Sequence, residues 1–194
     1  MSKKAATGGR PRDPRVDSAV RAATIELLIS EGYNRLTIQR VAAAAGVGHT
    51  SIYRRWGSKA DLVYQVVFPD ELVLDLAGVT DIGEAIRTMI TGTVEAFAKP
   101  EVVAAIPGLL AAARDETQLR ARIAARLEPS VHGDLRAAMA AASASGQISK
   151  DADLDILLAT IAGAIIWALF LGIPADLKTF AERLAVMVER SLCA

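Results

Sequence analysis

The stretch Leu36-Thr-Ile-Gln-Arg-Val-Ala-Ala-Ala-Ala-Gly46-Val-Gly-His-Thr-Ser-Ile-Tyr53-Arg-Arg-Trp56-Gly-Ser-Lys59 decides the fold. Thr37 is an N-cap residue type, and apolar positions Ile38, Val41, Ala42 and Ala45 follow it with helical spacing. A short helix is therefore expected from residue 38 to about 44, with Gly46 supplying a sharp turn. A second short helix is expected over about 48–55, closed by Gly57. Ser58-Lys-Ala-Asp61 then has the spacing of a capping box and opens another helix toward Val67, which Pro69 ends. Two short helices around a glycine turn, buttressed by a longer one, meet the requirement of a helix-turn-helix.

Working outward, Val16, Val20, Ala23 and Leu27 form one stripe of a helix that follows Pro14, and Gly32 is expected to end it. Residues 1–13 are basic and contain Gly and Pro, as a flexible arm would. Beyond residue 67 the chain reads as further helices. Asp81 and Glu84 open a segment with Ile82, Ile86, Met89, Ile90, Val94 and Phe97 on one face, and Pro100 breaks it. Pro107-Gly108 is expected to interrupt the next piece, and Pro129 to kink or break an Arg-rich stretch running from Asp115 to about 145. A long apolar helix follows a loop over 146–153, and Pro174-Ala-Asp176 introduces a last one carrying Phe180, Leu184, Val188 and Leu192. No stretch alternates with period two long enough for a strand. The expected fold class is all-α: a three-helix DNA-binding type of unit at 14–67 with its motif at about 37–56, and a larger helical unit at 68–194.

Composition agrees with that reading. The 37 alanines among 194 residues favour helix, because alanine loses almost nothing on entering one. One cysteine, Cys193, excludes a disulfide framework, and His49 and His132 have no metal-ligand spacing. The net charge of zero divides into +6 over residues 1–67 and −6 over the remainder. A basic head on an acidic body suits a polyanion at the head. The uncharged run 156–175 is long enough to span a membrane, yet aspartates flank its start and no Lys/Arg cluster anchors it. A soluble cytoplasmic protein without a secretory signal is expected. No nucleophile with its base, phosphate loop or zinc motif is present, so no catalytic residue, metal or cofactor is assigned.

The segment 32–62, with Gly32-Tyr33, Leu36-Thr37, Gly46-Val47, Ile52-Tyr53, the aromatic at 56, Ser58-Lys59 and Asp61-Leu62, resembles the DNA-binding domain of the TetR family of bacterial transcriptional regulators. The resemblance covers about residues 14–67. The rest of the chain is similar only in length and helix count. Independently of the family, small and polar residues on the third helix let it sink into a major groove. Gln39, His49, Thr50 and Arg54 are the candidates for base contact. Thr37, Ser51, Tyr53, Arg55, Ser58 and Lys59 are candidates for phosphate contact, Thr37 and Ser58 because they stand at helix N-termini. The resemblance implies such contacts for Thr37, Tyr53 and Lys59, whose other roles would be cap, core ring and surface charge. Arg54 and Arg55 suit a phosphate or solvent as well as a base. Arg10, Arg12 and Arg15 are candidates for a minor-groove arm, or belong to a solubilising tail.

The resemblance further implies a homodimer whose last two helices, about 153–171 and 176–192, pair with their mates. Gly163, Ala164, Trp167, Phe170, Leu184 and Val188 are the interface candidates. It also implies a small-molecule effector among residues 82–139, with Ile86, Met89, Ile90, Phe97, Leu109, Leu110 and His132 as lining or as plain core. So few polar candidates point to a largely apolar effector. The expected function is a repressor of a palindromic double-stranded operator. The alternative is an effector-independent architectural or activating DNA-binding protein.

Overall fold

The computed structural model describes residues 14–69, 79, 81–127, 133–172 and 176–192. The elements there are helical: α1 (Pro14–Arg35), α2 (Ile38–Ala45), α3 (His49–Tyr53), α4 (Lys59–Val67), α5 (Ile82–Phe97), α6 (Pro100–Asp115), α7 (Thr117–Leu127), α8 (Gly133–Ala144), α9 (Leu154–Leu171) and α10 (Leu177–Leu192). Starts fall where polar caps occur. Asp81 accepts from the Glu84 N–H at 2.7 Å, and Asp153 from the N–H groups of Asp155 and Ile156 at 2.8 and 3.0 Å.

Two apolar clusters organise the described residues, and helices beyond residue 67 contribute to both. One joins α5, α8, α9 and α10 around Ile86, Met89, Ile90, Leu135, Ile165 and Val188. The other joins α1 to α4 but also takes Val102, Ala105, Ile106 and Leu109 of α6 and Leu119 of α7. α6 packs against both α1 and α4. Phe97 touches both clusters, and the rings of Tyr64, Phe68 and Phe97 stand 5.5 and 5.6 Å apart in series.

Two expected breaks came out differently. Gly32 does leave helical geometry, at φ 79 and ψ 167, but the chain resumes a turn as far as Arg35. Pro107 lies inside α6 without ending it. Its ring removes one N–H and crowds the carbonyl four residues back, and Pro107 itself lies on the exposed side of the helix. The expected break at Pro129 lies outside the described residues.

Helix α9 is long and apolar enough to cross a membrane by length and composition. Its buried residues, Leu154, Leu157, Ile161, Ile165 and Ala168, form a single face against the protein's own core. The opposite side carries Ile156, Trp167, Phe170 and Leu171 into the open.

Candidate nucleic-acid interface

The turn between α2 and α3 is built from local chemistry. Thr37 has extended backbone, and its hydroxyl accepts from the Arg40 N–H at 3.3 Å. Gly46 closes α2 in the left-handed region, φ 65 and ψ 31, where a side chain would be strained. Val47 N–H then donates to the Ala42 carbonyl at 3.0 Å and Gly46 N–H to that of Ala43 at 3.3 Å, the pattern of a Schellman finish. Ile38, Val41 and Ile52 are buried beneath, and Trp56 closes the same core. That underside leaves Gln39, His49, Thr50 and Arg54 exposed together on the two short helices. Polar, exposed side chains above an apolar base are what direct readout of base edges requires.

The residues assigned to phosphates divide into two groups. Thr37 and Tyr53 are exposed, Tyr53 at 47%, and Ser51 is half-buried. The others are engaged with distant parts of the chain. Arg55 pairs with the Asp17 carboxylate of α1. Ser58 caps α4 by accepting from the Asp61 N–H at 3.0 Å, and its hydroxyl donates to Glu116 at 2.8 Å. Lys59 donates from Nζ to the Tyr33 carbonyl at 2.9 Å and lies 4.1 Å over the Tyr33 ring centroid. Burial holds the Lys59 ammonium below the usual lysine range. The Tyr33 phenol is pushed up to about 12, by burial first and then by the Glu116 charge. Asp61 completes the seam with an ion pair to Arg122 of α7 at 2.7 Å.

Sequence reasoning missed Asp17, Glu31, Glu116 and Arg122. Glu31, on α1, pairs with Arg40 of α2. No local pattern announces these contacts, because each partner lies in another helix. Among the arm candidates, Arg15 is exposed at the start of α1. Arg10 and Arg12 lie outside the described residues.

In the body, Gly163 is exposed, Trp167 is 63% exposed, Phe170 faces outward and Ala164 packs partly onto the core. Leu184 and Val188 depart from the expectation: both are buried in the protomer's own cluster, because the stripe 184/188/192 faces α5. On α10 it is Val186 and Met187 that face outward, at 43% and 57%. The expected effector lining also changes character. Ile86 and Ile90 are wholly shielded and Met89 and Leu109 nearly so, so all four are core side chains in this state. Leu109 belongs to the head's cluster, Leu110 is 54% exposed, and Phe97 bridges the two clusters. His132 lies outside the described residues. A cleft of about 360 Å³ occurs at the α8–α9 connection, bordered by Arg136, Met139, Ser143, Lys150 and Asp153, and by none of the expected lining that falls among the described residues. Among the described residues no cluster of His, Cys, Asp or Glu has a metal-holding arrangement.

Comparison with known proteins bears on both halves. Residues 20–66 match the family described as bacterial regulatory proteins, tetR family, and residues 81–188 match the tetracyclin repressor-like C-terminal domain. The chain is 30% identical over 166 residues to the DNA-binding transcriptional repressor TetR of Mycobacteroides abscessus, covering 82% of this chain and 84% of that protein. It is 45% identical over 58 residues to an uncharacterised HTH-type transcriptional regulator of Mycobacterium bovis, 28% of this chain and 29% of that one. Two solved structures share the fold at 17% identity. The fatty acid degradation regulator FadR of Bacillus halodurans has a TM-score of 0.70, covering 93% of this chain and 97% of its own. FadR of Bacillus subtilis in complex with stearoyl-CoA has a TM-score of 0.68, covering 88% and 96%.

Proposed function

Because the chain belongs to the TetR family of bacterial regulatory proteins, and is therefore a DNA-binding transcriptional regulator, we propose that it acts in the cytoplasm as a homodimeric repressor of a palindromic operator, released by a small, largely apolar effector. The observation that carries this reading is the exposed set Gln39 on α2, His49 and Thr50 on α3 and Arg54 at the end of α3, above a base closed by Ile52 and Trp56. These four read base edges in the major groove. Thr37, Ser51, Tyr53, Arg55 and Lys59 fix the register on phosphates, which carries no sequence information by itself. Ser58, expected among them, gives its one hydroxyl proton to Glu116 and serves as the cap of α4 instead.

Two heads one helical turn apart, about 34–36 Å, impose an inverted repeat on the DNA. The face that joins the two copies is Gly163, Trp167 and Phe170 of α9, extended by Ile156 and Leu171 and by Val186 and Met187 of α10. Contiguous apolar exposure of this kind marks an interaction surface. The effector acts by population shift. Since Ile86, Met89 and Ile90 are packed in the core, a ligand among them binds a state in which α5 and α8 have parted. Release follows if that state holds the two heads at a spacing the DNA pitch does not match.

The test is selection of bound duplexes from a random pool, followed by footprinting on the recovered sequence during effector titration, with stearoyl-CoA as one probe. An inverted repeat with half-sites one turn apart is expected. Recovery of no preferred sequence, or of an asymmetric single site, would refute the dimeric readout. A footprint that persists through the titrations would favour the effector-independent architectural or activating reading.

A further inference from the structure

Gly108 sits inside α6, where a glycine costs helix stability and Pro107 already weakens the backbone. Its reason is steric. A Cβ at Gly108 would stand 2.0 Å from Cδ1 and 2.2 Å from Cγ of Tyr33, well inside van der Waals contact. The Tyr33 ring therefore lies against bare α6 backbone. The same ring carries the Lys59 ammonium at 4.1 Å from its centroid, and the Tyr33 carbonyl accepts from Lys59 at 2.9 Å. Tyr33 reaches this place because the chain turns at Gly32 with φ 79, a conformation that side chains rarely adopt.

We propose that Gly108 and Tyr33 are positioning residues for DNA binding: α6 seats the Tyr33 ring, and the ring with its carbonyl holds the Lys59 ammonium ready for a phosphate. This rests on the reading of Lys59 as a phosphate contact. An ammonium has three donors, so the bond to Tyr33 leaves two for phosphate oxygens. A lysine already held gives up less rotamer freedom on binding than one waving in solvent. Because Gly108 belongs to α6, the strength of this anchor depends on where α6 lies against α1.

The test uses the full chain and a mixed-sequence duplex of about 30 base pairs, long enough for two half-sites. Affinity is measured across a salt series, because each phosphate neutralised contributes about 0.9 to the log–log slope. Lys59→Ala is expected to lower the slope by about 0.9 per docked head, about 1.8 for a dimer. Between 50 and 200 mM salt that removes about 12-fold of the affinity loss. Tyr33→Leu and Gly108→Ala are expected to lower the slope in the same direction, with no further fall when either is combined with Lys59→Ala. Tyr33→Phe, which keeps ring and carbonyl, is expected to leave it unchanged. In the free protein, the ring-current shift of the Lys59 methylene protons should disappear in Tyr33→Leu and change in Gly108→Ala. Should Gly108→Ala not fold, Tyr33→Leu carries the test alone.

A slope unchanged by Lys59→Ala refutes the phosphate reading and the proposal with it. A slope lowered by Lys59→Ala but unchanged or steeper in Tyr33→Leu keeps the phosphate contact and overturns the positioning role.

Discussion

Replacing Trp167 with glutamate should break the dimer while sparing the protomer. The indole is 63% exposed on the outer side of α9, beside Phe170 and Leu171 and in register with Gly163. A tryptophan offers up to about 250 Å², so about 160 Å² of it awaits cover. At about 25 cal/mol per Å² that is about 4 kcal/mol per copy, and about 8 kcal/mol for the two copies of a two-fold interface. Complete burial of the exposed portion is an upper bound. Half of it, about 4 kcal/mol per dimer, corresponds to about a thousand-fold change in dimer dissociation constant. The substituted carboxylate adds a desolvation penalty in the same direction. Gly163→Glu is the companion variant: no atom lies within 4 Å of a Cβ placed there, so the protomer accommodates it, and only an apposed copy would clash. Sedimentation equilibrium over nanomolar to micromolar protein, with a thermal melt beside it, reads both effects. A wild-type chain that is monomeric at micromolar concentration would refute the reasoning. So would a Trp167→Glu chain that associates as tightly as the wild type.

Further outcomes follow from the head. His49→Ala and Gln39→Ala should change base preference by about 1–3 kcal/mol at one position per half-site without altering the salt slope, as read by binding to a mismatch panel; a uniform loss across sequences would make them anchors instead. Ser58→Ala should destabilise the fold by about 1–2 kcal/mol, more than the roughly 1 kcal/mol of Thr37→Ala, because it removes a cap and also strips Glu116 of its hydroxyl donor; equal melting temperatures for the two would contradict this. The Tyr33 phenol holds its proton to about 12 in the folded chain against 10.0 unfolded, so its contribution is intact below pH 10 and is lost as pH rises toward 12. Lys59, with a lowered value, works the opposite way, since the unfolded lysine keeps its proton longer than the folded one does. Tyr33→Phe removes the tyrosine part and should lose less stability than wild type between pH 10 and 12 in denaturant titrations; an identical fall would reject it. Finally, operator DNA should weaken effector binding by the factor with which effector weakens DNA binding, about 5- to 150-fold by calorimetry, and equal affinities with and without DNA would exclude the coupling for that ligand.

What was legible from the chain was the local chemistry. As helix caps, Thr37, Gly46 and Ser58 act on groups no more than five residues away, and each caps in space as its type and spacing announce. The family resemblance of the head likewise rests on residues 32–62, and the comparisons extend it to the body. Partner choice between distant helices was not legible. Leu184 and Val188 mark an apolar stripe, but periodicity does not say whether α5 or a second copy covers it. Gly108 looked like a breaker because a glycine beside a proline usually is one; only the position of Tyr33, 75 residues earlier by number, explains it. Glu116, between α6 and α7, and Arg122 gave no sign of reaching Ser58 and Asp61, since surface charges are ordinarily solvated.

The packing of α6 and α7 residues into the head's core has a bearing on how such a protein can be cut or recombined. A fragment ending at residue 67 would expose the surfaces of α1 and α4 that Val102, Ala105, Ile106, Leu109 and Leu119 now cover. The head is thus not a detachable cassette. Grafted onto a foreign body it would meet an α6 shaped for another ring, and without a glycine opposite Tyr33 the two could not close to the same distance. Swaps of DNA specificity in this scaffold are better made at the exposed positions 39, 49, 50 and 54, which leave the shared core intact, than by exchange of whole domains.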